Sequence, residues 1–313
     1  MTNSNPLVSV GIMAYNRPEG LRQTLECITN QTYKNLQIVV SNNCSPDQEV
    51  ESIMREYAAK DSRIVPYSQP INIGAGPNLL FVLAESTGEY FMWAADDDYW
   101  ESNFIEEMLK LLQANQQALS AFCAVREKEN LRITDYLDKY PGLSSPDVNK
   151  RLLTYLAWPE GANIKGSILY GLHRREKANI WFHKVWPRCN TKSIGHDIVM
   201  LYELLIMGPI VFSRQPLYTV TMGNVKYVGH VYGKNKFFWA SLRLSLRKGF
   251  DTVVQREIFY LLVAKTMWQS RASKICFFYS LYTIIIRHLH ALLAIVKYPI
   301  KKYCEKNKIK FSI

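Results

Sequence analysis

The chain has 313 residues, of which 48% are hydrophobic and 12% aromatic. It is therefore long enough for one large domain or two small ones and too apolar to be disordered. The net charge of +11 is concentrated near the end, where residues 271–313 hold nine Lys and Arg residues against one acid, Glu305. The six cysteines are scattered, without CxxC or zinc spacing, and this argues against a disulfide framework.

Strand-like and helix-like segments alternate over the first 125 residues. Short apolar or β-branched runs predict strands at residues 7–13, 36–41, 64–68, 90–95 and 119–125. Helical spacing between them predicts helices at residues 20–31, 46–59, 77–85 and 104–113. The second helix is predicted to have Ser45 as its cap and Pro46 in its first position. This alternation is typical of βαβ units, so we expect an α/β fold with a mostly parallel sheet and flanking helices.

The pattern is less regular after residue 125. Residues 126–160 predict an insert of loops and helices, because Pro141, Gly142 and Pro146 interrupt any longer element. Further strands are predicted at residues 166–173, 209–213 and 218–222, with a helix at residues 196–207. The sequence after residue 234 is largely helical. We therefore expect one domain over residues 1–225, with halves 1–125 and 126–225, and a helical C-terminal region over residues 226–313.

Residues 273–298 of the C-terminal region predict a helix with a narrow polar stripe on a broad apolar surface, which is typical of a helix at a membrane interface. Its apolar run is shorter than the roughly 20 residues that a spanning helix needs. The lysines that follow Pro299 suit anionic lipid headgroups, and no nucleic-acid-binding signature accompanies them. A core helix or a dimer interface is the alternative. Because residues 1–5 are polar and resemble no signal peptide, we expect peripheral association with the cytosolic face of a membrane.

Three consecutive aspartates, Asp96, Asp97 and Asp98, follow the predicted strand at residues 90–95. Neighbouring like charges are unfavourable unless a cation neutralises them, and Mg²⁺ or Mn²⁺ prefers such oxygen ligands. The loops at residues 14–19, 42–47 and 72–78 belong to the same edge of the predicted sheet, where ligands of parallel α/β sheets bind. The cluster therefore predicts a metal–diphosphate site. The alternative is a solvated turn that caps the helix beginning near Phe104.

Several motifs in order resemble glycosyltransferase family 2. They are VSVGIMAYNRPEGLRQTLECITNQTYKNLQIVVSNNCSPD, then NIGAGPN, then GEYFMWAADDDYW. The resemblance covers about residues 7–100 strongly and residues 166–221 loosely. It implies a GT-A fold and the transfer of a sugar, with inversion and with Mn²⁺ or Mg²⁺ as cofactor, from a nucleotide-diphosphate donor. Among such donors a UDP- or dTDP-sugar is favoured. The implied acceptor is a glycan, with a lipid-linked glycan of bacterial surface polysaccharide assembly favoured by the C-terminal helix. Residues 1–125 would then bind the nucleotide and residues 126–225 the acceptor.

The resemblance also implies roles for individual residues. Asn42 and Asn43 stand where the family usually has paired aspartates, and asparagine keeps the carbonyl acceptor that reads a pyrimidine base. Backbone groups of the first loop would hold the nucleoside, and the glycine-containing loop after the third strand would approach the diphosphate. The residues assigned to nucleotide-sugar binding are Ala14, Tyr15, Asn16, Asn42, Asn43, Asn72, Gly74, Asn78 and Asp96.

The family's Asp-x-Asp motif fits the aspartates in two registers. One puts Ala95 at the first aspartate position, and the other makes Asp96 and Asp98 the pair. We expect Asp96 to face the ribose or diphosphate and Asp97 or Asp98 to bind the metal, which leaves open which two of the three form the pair. The resemblance adds His230 as a metal ligand and Asp197 as the catalytic base, 100 residues after Asp97.

Two other functions remain open. A catalytically inactive, membrane-docked protein that binds a nucleotide or glycan is suggested by Ala95, Asn42 and Asn43, which depart from the family pattern. A nucleotidyltransferase on a similar sheet is the second alternative. It would ordinarily need a glycine-rich, basic first loop for a triphosphate, and residues 14–19 contain one basic residue and no glycine.

Overall fold

The computed structural model describes residues 5–157, 163–185 and 196–221. Strands and helices alternate along the first part of the chain, as predicted. In chain order they are β1 (Val8–Ala14), α1 (Pro18–Thr29), β2 (Leu36–Asn42), α2 (Gln48–Lys60), β3 (Ile64–Ser68), α3 (Ala75–Ala84), β4 (Tyr90–Ala95), β5 (Tyr99–Trp100), α4 (Phe104–Ala114) and β6 (Ser120–Glu127).

Shorter elements dominate the part of the chain that follows β6. They are β7 (Ile133–Thr134), α5 (Tyr136–Lys139), a 3₁₀ helix (Pro141–Ser144), α6 (Val148–Ala157), a second 3₁₀ helix (Asn163–Tyr170), β8 (Leu172–Arg174), α7 (Arg175–Val185), α8 (His196–Met207) and β9 (Ile210–Val220). Among the helices of these ranges, none is both long enough and apolar enough to cross a membrane.

The described strands form one mixed sheet in the order β3-β2-β1-β4-β8-β6-β9-β5, with β7 paired to β6. Strands β1 to β4 are parallel to one another where they pair, and β6 is parallel to β9. The antiparallel pairs, which involve β5, β7 and β8, each match only two residues. The prediction of a mostly parallel α/β sheet is confirmed.

Strand β4 runs through the centre of the core, and all six of its residues are buried. A parallel strand covered by helices on both faces is expected to be apolar throughout, as β4 is. Trp93 of this strand packs against Phe91, Trp181 and Phe182, with ring centroids 4.7, 5.9 and 5.1 Å apart. This aromatic cluster joins β4 to α7 and so joins the two halves of the described structure.

His173 of β8 is the polar member of the same cluster and is fully buried beside Trp93. Its Nε2 lies 2.9 Å from the carbonyl oxygen of Leu169, so this nitrogen donates a proton. Its Nδ1 then accepts from the hydroxyl of Ser120 at 2.5 Å. Burial lowers the pKa of His173 to about 4, although the hydrogen bond to Leu169 acts in the opposite direction. His173 is therefore neutral in the native fold at physiological pH.

Three predicted elements differ from the structure. The helix predicted from residue 46 begins at Gln48, and its cap is Asp47, whose carboxylate accepts from the amide of Glu49 at 2.9 Å. The strand predicted at residues 166–173 is mostly 3₁₀ helix, followed by β8. The two strands predicted at residues 209–213 and 218–222 are one strand, β9, in which a bulge separates the two segments that pair with β6.

The predicted domain boundary at residue 225 and the membrane-associating helix at residues 273–298 lie outside the described residues, and both stay predictions.

Candidate functional site

The candidate site lies at the carboxyl ends of three adjacent parallel strands. Strand β1 pairs with β2 on one side and β4 on the other, and Met13 is level with both Ser41 and Ala95. The loops that follow these strands therefore begin side by side. These loops and the strand ends before them contain six of the nine predicted nucleotide-binding residues and all three aspartates; the six are Ala14, Tyr15, Asn16, Asn42, Asn43 and Asp96.

Asp96 is the first residue after β4 and connects the first loop to the aspartate turn, residues 96–98. The backbone amide of Tyr15 donates to its Oδ2 at 3.2 Å, and Nη1 of Arg17 lies 3.1 Å from its Oδ1. Burial raises the pKa of this carboxyl, while the Tyr15 amide and the Arg17 guanidinium act to lower it. Asp96 is thus a buried carboxylate that the loop after β1 holds in place.

Asp97 is the most exposed of the three aspartates, and 40% of its side chain is accessible. The same Nη1 of Arg17 lies 2.6 Å from its Oδ2. Partial burial of Arg17 acts to lower its pKa, but Asp96 and Asp97 outweigh that effect and raise it. Within residues 5–157, 163–185 and 196–221, no partner contacts Oδ1 of Asp97, so this oxygen is free to bind a ligand.

Asp98 is buried and belongs to the interior of the turn. Its Oδ2 accepts from the hydroxyl of Tyr218, and its Oδ1 accepts from the amide of Thr221 at 3.0 Å. Burial raises its pKa to about 6, although both hydrogen bonds oppose the shift. That Asp98 is a metal ligand stays a prediction; in this structure its oxygens bond to Tyr218 and Thr221 and its side chain is buried.

Helix α1 packs directly against the aspartate turn. Gly20 lies so close to the backbone of Asp96 that a β-carbon at this position would overlap the carbonyl oxygen of Asp96. Thr24 donates to the carbonyl of Ala95 at 2.9 Å, and Gln23 donates to the carbonyl of Asp98 at 3.3 Å. Pro18 in the first turn suits a helix start, because its missing amide needs no partner there. Helix α1 therefore supports the backbone of the aspartate turn through these contacts.

The two asparagines that end β2 hold neighbouring loops together. Asn42 accepts from the amide of Ser45 at 2.9 Å and donates to Glu51 at 3.2 Å. Asn43 accepts from the amide of Ile73 at 2.9 Å and donates to Asn72 at 3.0 Å. Both side chains are buried, and the amide group of each already has protein partners.

The first loop is connected to the second loop as well as to Asp96. The amide of Asn16, which has a positive φ of 56°, donates to the hydroxyl of Ser45 at 3.0 Å. The amide of Asn43 donates to the carbonyl of Ala14 at 2.9 Å. Ser45, predicted as a helix cap, instead holds the first loop.

The loop before α3 divides into exposed and buried residues. Asn72 is exposed and accepts from the amide of Gly74 at 2.9 Å, and Gly74 has a φ of +88° that favours glycine. Asn78 is buried instead, where it accepts from the Ser41 hydroxyl at 2.6 Å and donates to the Ser41 carbonyl at 3.3 Å. That Asn78 binds the nucleotide stays a prediction; in this structure its side chain fastens α3 to β2.

The remaining predicted residues lie partly or wholly outside the description. Asp197 is the second residue of α8, and its side chain lies outside the description. His230 lies outside the described residues. Arg17, Tyr218 and Thr221 were missed as members of the site. The position of Arg17, three residues after the last residue of β1, was a usable signal, whereas nothing near Asp98 in the sequence indicates Tyr218.

The carboxylates of Asp97, which is exposed, and Asp96, which is buried beside it, fit a divalent cation that is shared with a phosphate ligand. No group of three or more His, Cys, Asp or Glu side chains in the part of the chain described here is arranged to hold a metal alone. Mg²⁺ usually takes only one or two carboxylates and completes its shell with phosphate oxygens and water. Asp97, with Asp96 beside it, supplies such a partial set.

Comparison with known proteins agrees with this fold. The sequence model of Glycosyl transferase family 2 matches residues 9–171, which is more than half of the chain. An uncharacterized glycosyltransferase of Haemophilus influenzae is 36% identical over 110 residues, 35% of this chain and 34% of that protein. An uncharacterized glycosyltransferase of Rickettsia typhi is 35% identical over 108 residues, 34% of this chain. That match spans 32% of the Rickettsia typhi protein, and the matches to two related Rickettsia proteins span 17% and 15% of them.

Two solved structures share the fold at low sequence identity. TarS 1–349 of S. aureus in complex with UDP-GlcNAc superposes with a TM-score of 0.55 and 16% identity, over 85% of this chain and 74% of that 1–349 fragment. The mannosyltransferase PcManGT of Pyrobaculum calidifontis, in complex with GDP-Man and Mn²⁺, superposes with a TM-score of 0.53 and 15% identity, over 96% of this chain and 84% of its own. The fold is therefore that of the GT-A glycosyltransferases.

Proposed function

This chain belongs to glycosyl transferase family 2, and on that basis we propose that it transfers a sugar, with inversion at the anomeric carbon, from a nucleotide-diphosphate donor to a hydroxyl group of a glycan. The observation that carries the proposal is the aspartate turn at the end of β4, where an exposed Asp97 stands beside a buried Asp96 that the first loop holds. In α/β sheets this edge is where nucleotides bind.

The first two loops would bind the nucleoside. The side chain of Tyr15 is 44% exposed, and an exposed aromatic ring at a nucleotide site can stack on a base. Its amide is already bonded to Asp96, so the ring is the part of Tyr15 left for the donor. Asn43, Asn72 and Gly74, which hydrogen bonds link to one another, would form the wall beyond it. We propose a uracil or thymine base, which would use the second lone pair of an asparagine oxygen that already accepts one protein hydrogen bond.

Asp97, assisted by Asp96, would hold Mn²⁺ or Mg²⁺ at the donor's diphosphate. When bound, such a cation supplies Lewis-acid assistance to the departing nucleoside diphosphate. The buried Asp98 supports Asp97 indirectly, because it fixes the turn against Tyr218 and Thr221. Thr221 also donates from its hydroxyl to the carbonyl of Asp97 at 2.6 Å, so the backbone of Asp97 is held from the β9 side. A preorganised turn of this kind needs no rearrangement at the moment of reaction.

Asp197 would act as the general base. As the acceptor oxygen forms its bond to the anomeric carbon, the bond from that carbon to the diphosphate oxygen breaks on the opposite face, and the acceptor proton passes to Asp197. Asp197 is the second residue of α8, and the resemblance to the family assigns it this role.

The acceptor would be a lipid-linked glycan at the cytosolic face of a bacterial membrane, in surface polysaccharide assembly. This part of the proposal rests on the polar stripe of residues 273–298 and the lysines after Pro299, which suit an anionic membrane surface.

Nucleotide binding tests the proposal first. UDP, dTDP and GDP are each titrated into the full chain with and without Mn²⁺, and Mn²⁺-dependent binding of one of them is expected. Asp97→Asn is expected to weaken that binding, whereas Glu56→Gln, which removes one carboxylate from the exposed surface of α2, is the matched control and leaves it unchanged. Metal-independent binding, or equal effects of the two variants, would overturn the assignment of Asp97.

Transfer is tested with the corresponding nucleotide-sugars and a panel of glycan acceptors. Asp197→Asn is expected to keep donor binding and to slow transfer about 100- to 10,000-fold, the contribution typical of a general base. Donor binding with no turnover by the wild-type chain would favour the inactive binding protein. Preference for a nucleoside triphosphate would favour the nucleotidyltransferase.

A further inference from the structure

Arg17 has an unusual place beside the aspartates, because one of its nitrogens serves two carboxylates. Nη1 lies 3.1 Å from Oδ1 of Asp96 and 2.6 Å from Oδ2 of Asp97. Its Nε and Nη2 contact no partner in the ranges that the structure describes. The side chain as a whole is 56% exposed, so it is not enclosed by the protein.

The backbone of Arg17 is fixed, while its side chain is not enclosed. The amides of Tyr15 and Asn16, directly before it, are bonded to Asp96 and Ser45. Pro18, directly after it, begins α1. An arginine in this position can exchange one partner for another by rotating its own side chain, without any movement of the loop.

A divalent cation and the Arg17 guanidinium compete for the same two carboxylates. A metal bound to Asp97 would stand within a few ångströms of Nη1, and like charges at that separation repel strongly when the site is partly buried. The repulsion disappears if an anion lies between them. A diphosphate is such an anion, and guanidinium groups bind phosphate oxygens through paired donors of the kind that Nε and Nη2 offer.

We propose that Arg17 is a partner-exchanging counter-ion. In the donor-free protein it offsets part of the negative charge of Asp96 and Asp97. When the donor and a divalent cation bind, it yields Asp97 to the cation and turns its free donors to the donor's diphosphate. This inference rests on the proposed function and adds to it a positioning residue that keeps the two carboxylates together before the donor arrives and then contacts the leaving group.

The test compares Arg17→Gln with Arg22→Gln, which removes from α1 a guanidinium that forms an exposed ion pair with Glu56 of α2. Binding of Mn²⁺ alone is measured by electron paramagnetic resonance, and binding of UDP and of GDP in the presence of Mn²⁺ by calorimetry. Arg17→Gln is expected to bind Mn²⁺ alone more tightly and to bind the nucleoside diphosphate with Mn²⁺ more weakly, each by about tenfold, the size of one charged hydrogen bond. Arg22→Gln is expected to change neither.

A change of opposite sign in the two affinities, for Mn²⁺ alone and for the nucleoside diphosphate with Mn²⁺, distinguishes partner exchange from a purely structural ion pair. Loss of a purely structural ion pair would change both affinities in the same direction. Changes of equal sign, or none, in Arg17→Gln with normal nucleotide binding by the wild type would refute the exchange alone. The exchange would also be refuted if the wild type bound the nucleotide without metal and Arg17→Gln abolished that binding, since Arg17 would then take the place of the metal permanently. If the wild-type chain binds neither nucleotide, the proposed function fails and the exchange fails with it. Arg17→Lys, which keeps the charge and loses the paired donors, is expected to restore the Mn²⁺ affinity of the wild type and to recover diphosphate binding only in part.

Discussion

Replacing Gly20 with alanine sets two physical effects against each other. Gly20 lies in the first turns of α1, where alanine is normally favoured over glycine by about 1 kcal/mol. The added methyl group would overlap the carbonyl oxygen of Asp96 and lie 3.0 Å from its carbonyl carbon. The carbonyl oxygen would lie only 1.9 Å from the added carbon, whereas non-bonded atoms keep about 3 Å or more apart, so α1 would have to retreat by about 1 Å or more. The direction of the net effect therefore depends on whether the helix can move away from the aspartate turn.

The structure indicates that the contact outweighs the propensity. Retreat of α1 stretches the hydrogen bond from Thr24 to the carbonyl of Ala95, now 2.9 Å, beyond a useful length. Overpacking costs about 1–3 kcal/mol and a lost hydrogen bond about 1 kcal/mol, so after the gain in propensity Gly20→Ala is expected to be less stable by about 1–3 kcal/mol. The loss would reach Asp96, whose partners Tyr15 and Arg17 stand just before the same helix.

Urea unfolding of the two proteins measures this difference, and Ala59→Gly in the exposed last turn of α2 calibrates the propensity effect alone. UDP binding with Mn²⁺ is expected to weaken together with stability in Gly20→Ala. A variant as stable as the wild type, or more stable, would refute the reasoning, because it would mean that the turn yields to the helix without cost.

Two further predictions concern buried hydrogen bonds. Tyr218→Phe removes the hydroxyl bonded to Asp98 and is expected to lower the free energy of unfolding by about 1–3 kcal/mol, since the carboxylate stays buried. The control Tyr67→Phe breaks a similar bond to Glu85 at the surface and should cost less, and equal losses in urea unfolding would contradict the role of burial. His173 binds a proton in the unfolded chain near pH 6.5 but in the native fold only near pH 4, so stability falls as the pH drops through this window, by about 2 kcal/mol between pH 7 and pH 5 from this group. His173→Gln is expected to lack that part of the acid sensitivity; an unchanged difference between the two pH values would show that His173 is not its source.

The parallel half of the fold was predictable because its signals are local. Each strand of β1 to β4 is a short apolar run, and each helix between them has its own periodicity. The start of α2 was misplaced because Asp47 competes with Ser45 for the cap, and Ser45 is bonded to Asn16 of another loop, a contact that no local pattern indicates. Strand β9 was divided in two because its bulge contains Arg214, Gln215 and Pro216, which read as a turn.

The aspartate register was not predictable for a similar reason. Adjacent residues in a turn differ only in the direction of their side chains, and that direction depends on partners elsewhere in the sequence. Asp98 faces inward because Tyr218 and Thr221, 120 and 123 residues later, meet it there. Asp96 faces the first loop because the amide of Tyr15 lies 81 residues earlier. What remains exposed, Asp97, is determined by these distant contacts.

The bond between Asp98 and the end of β9 limits how members of this family can be recombined. A chimaera that joins the donor-binding half of this chain to the acceptor half of a relative would cut between Asp98 and its partners Tyr218 and Thr221. Unless the incoming half carries a hydroxyl and an amide at the same places, the transplanted turn would contain an unsatisfied buried carboxylate. These three positions therefore have to be exchanged as a set, although they are far apart in the gene.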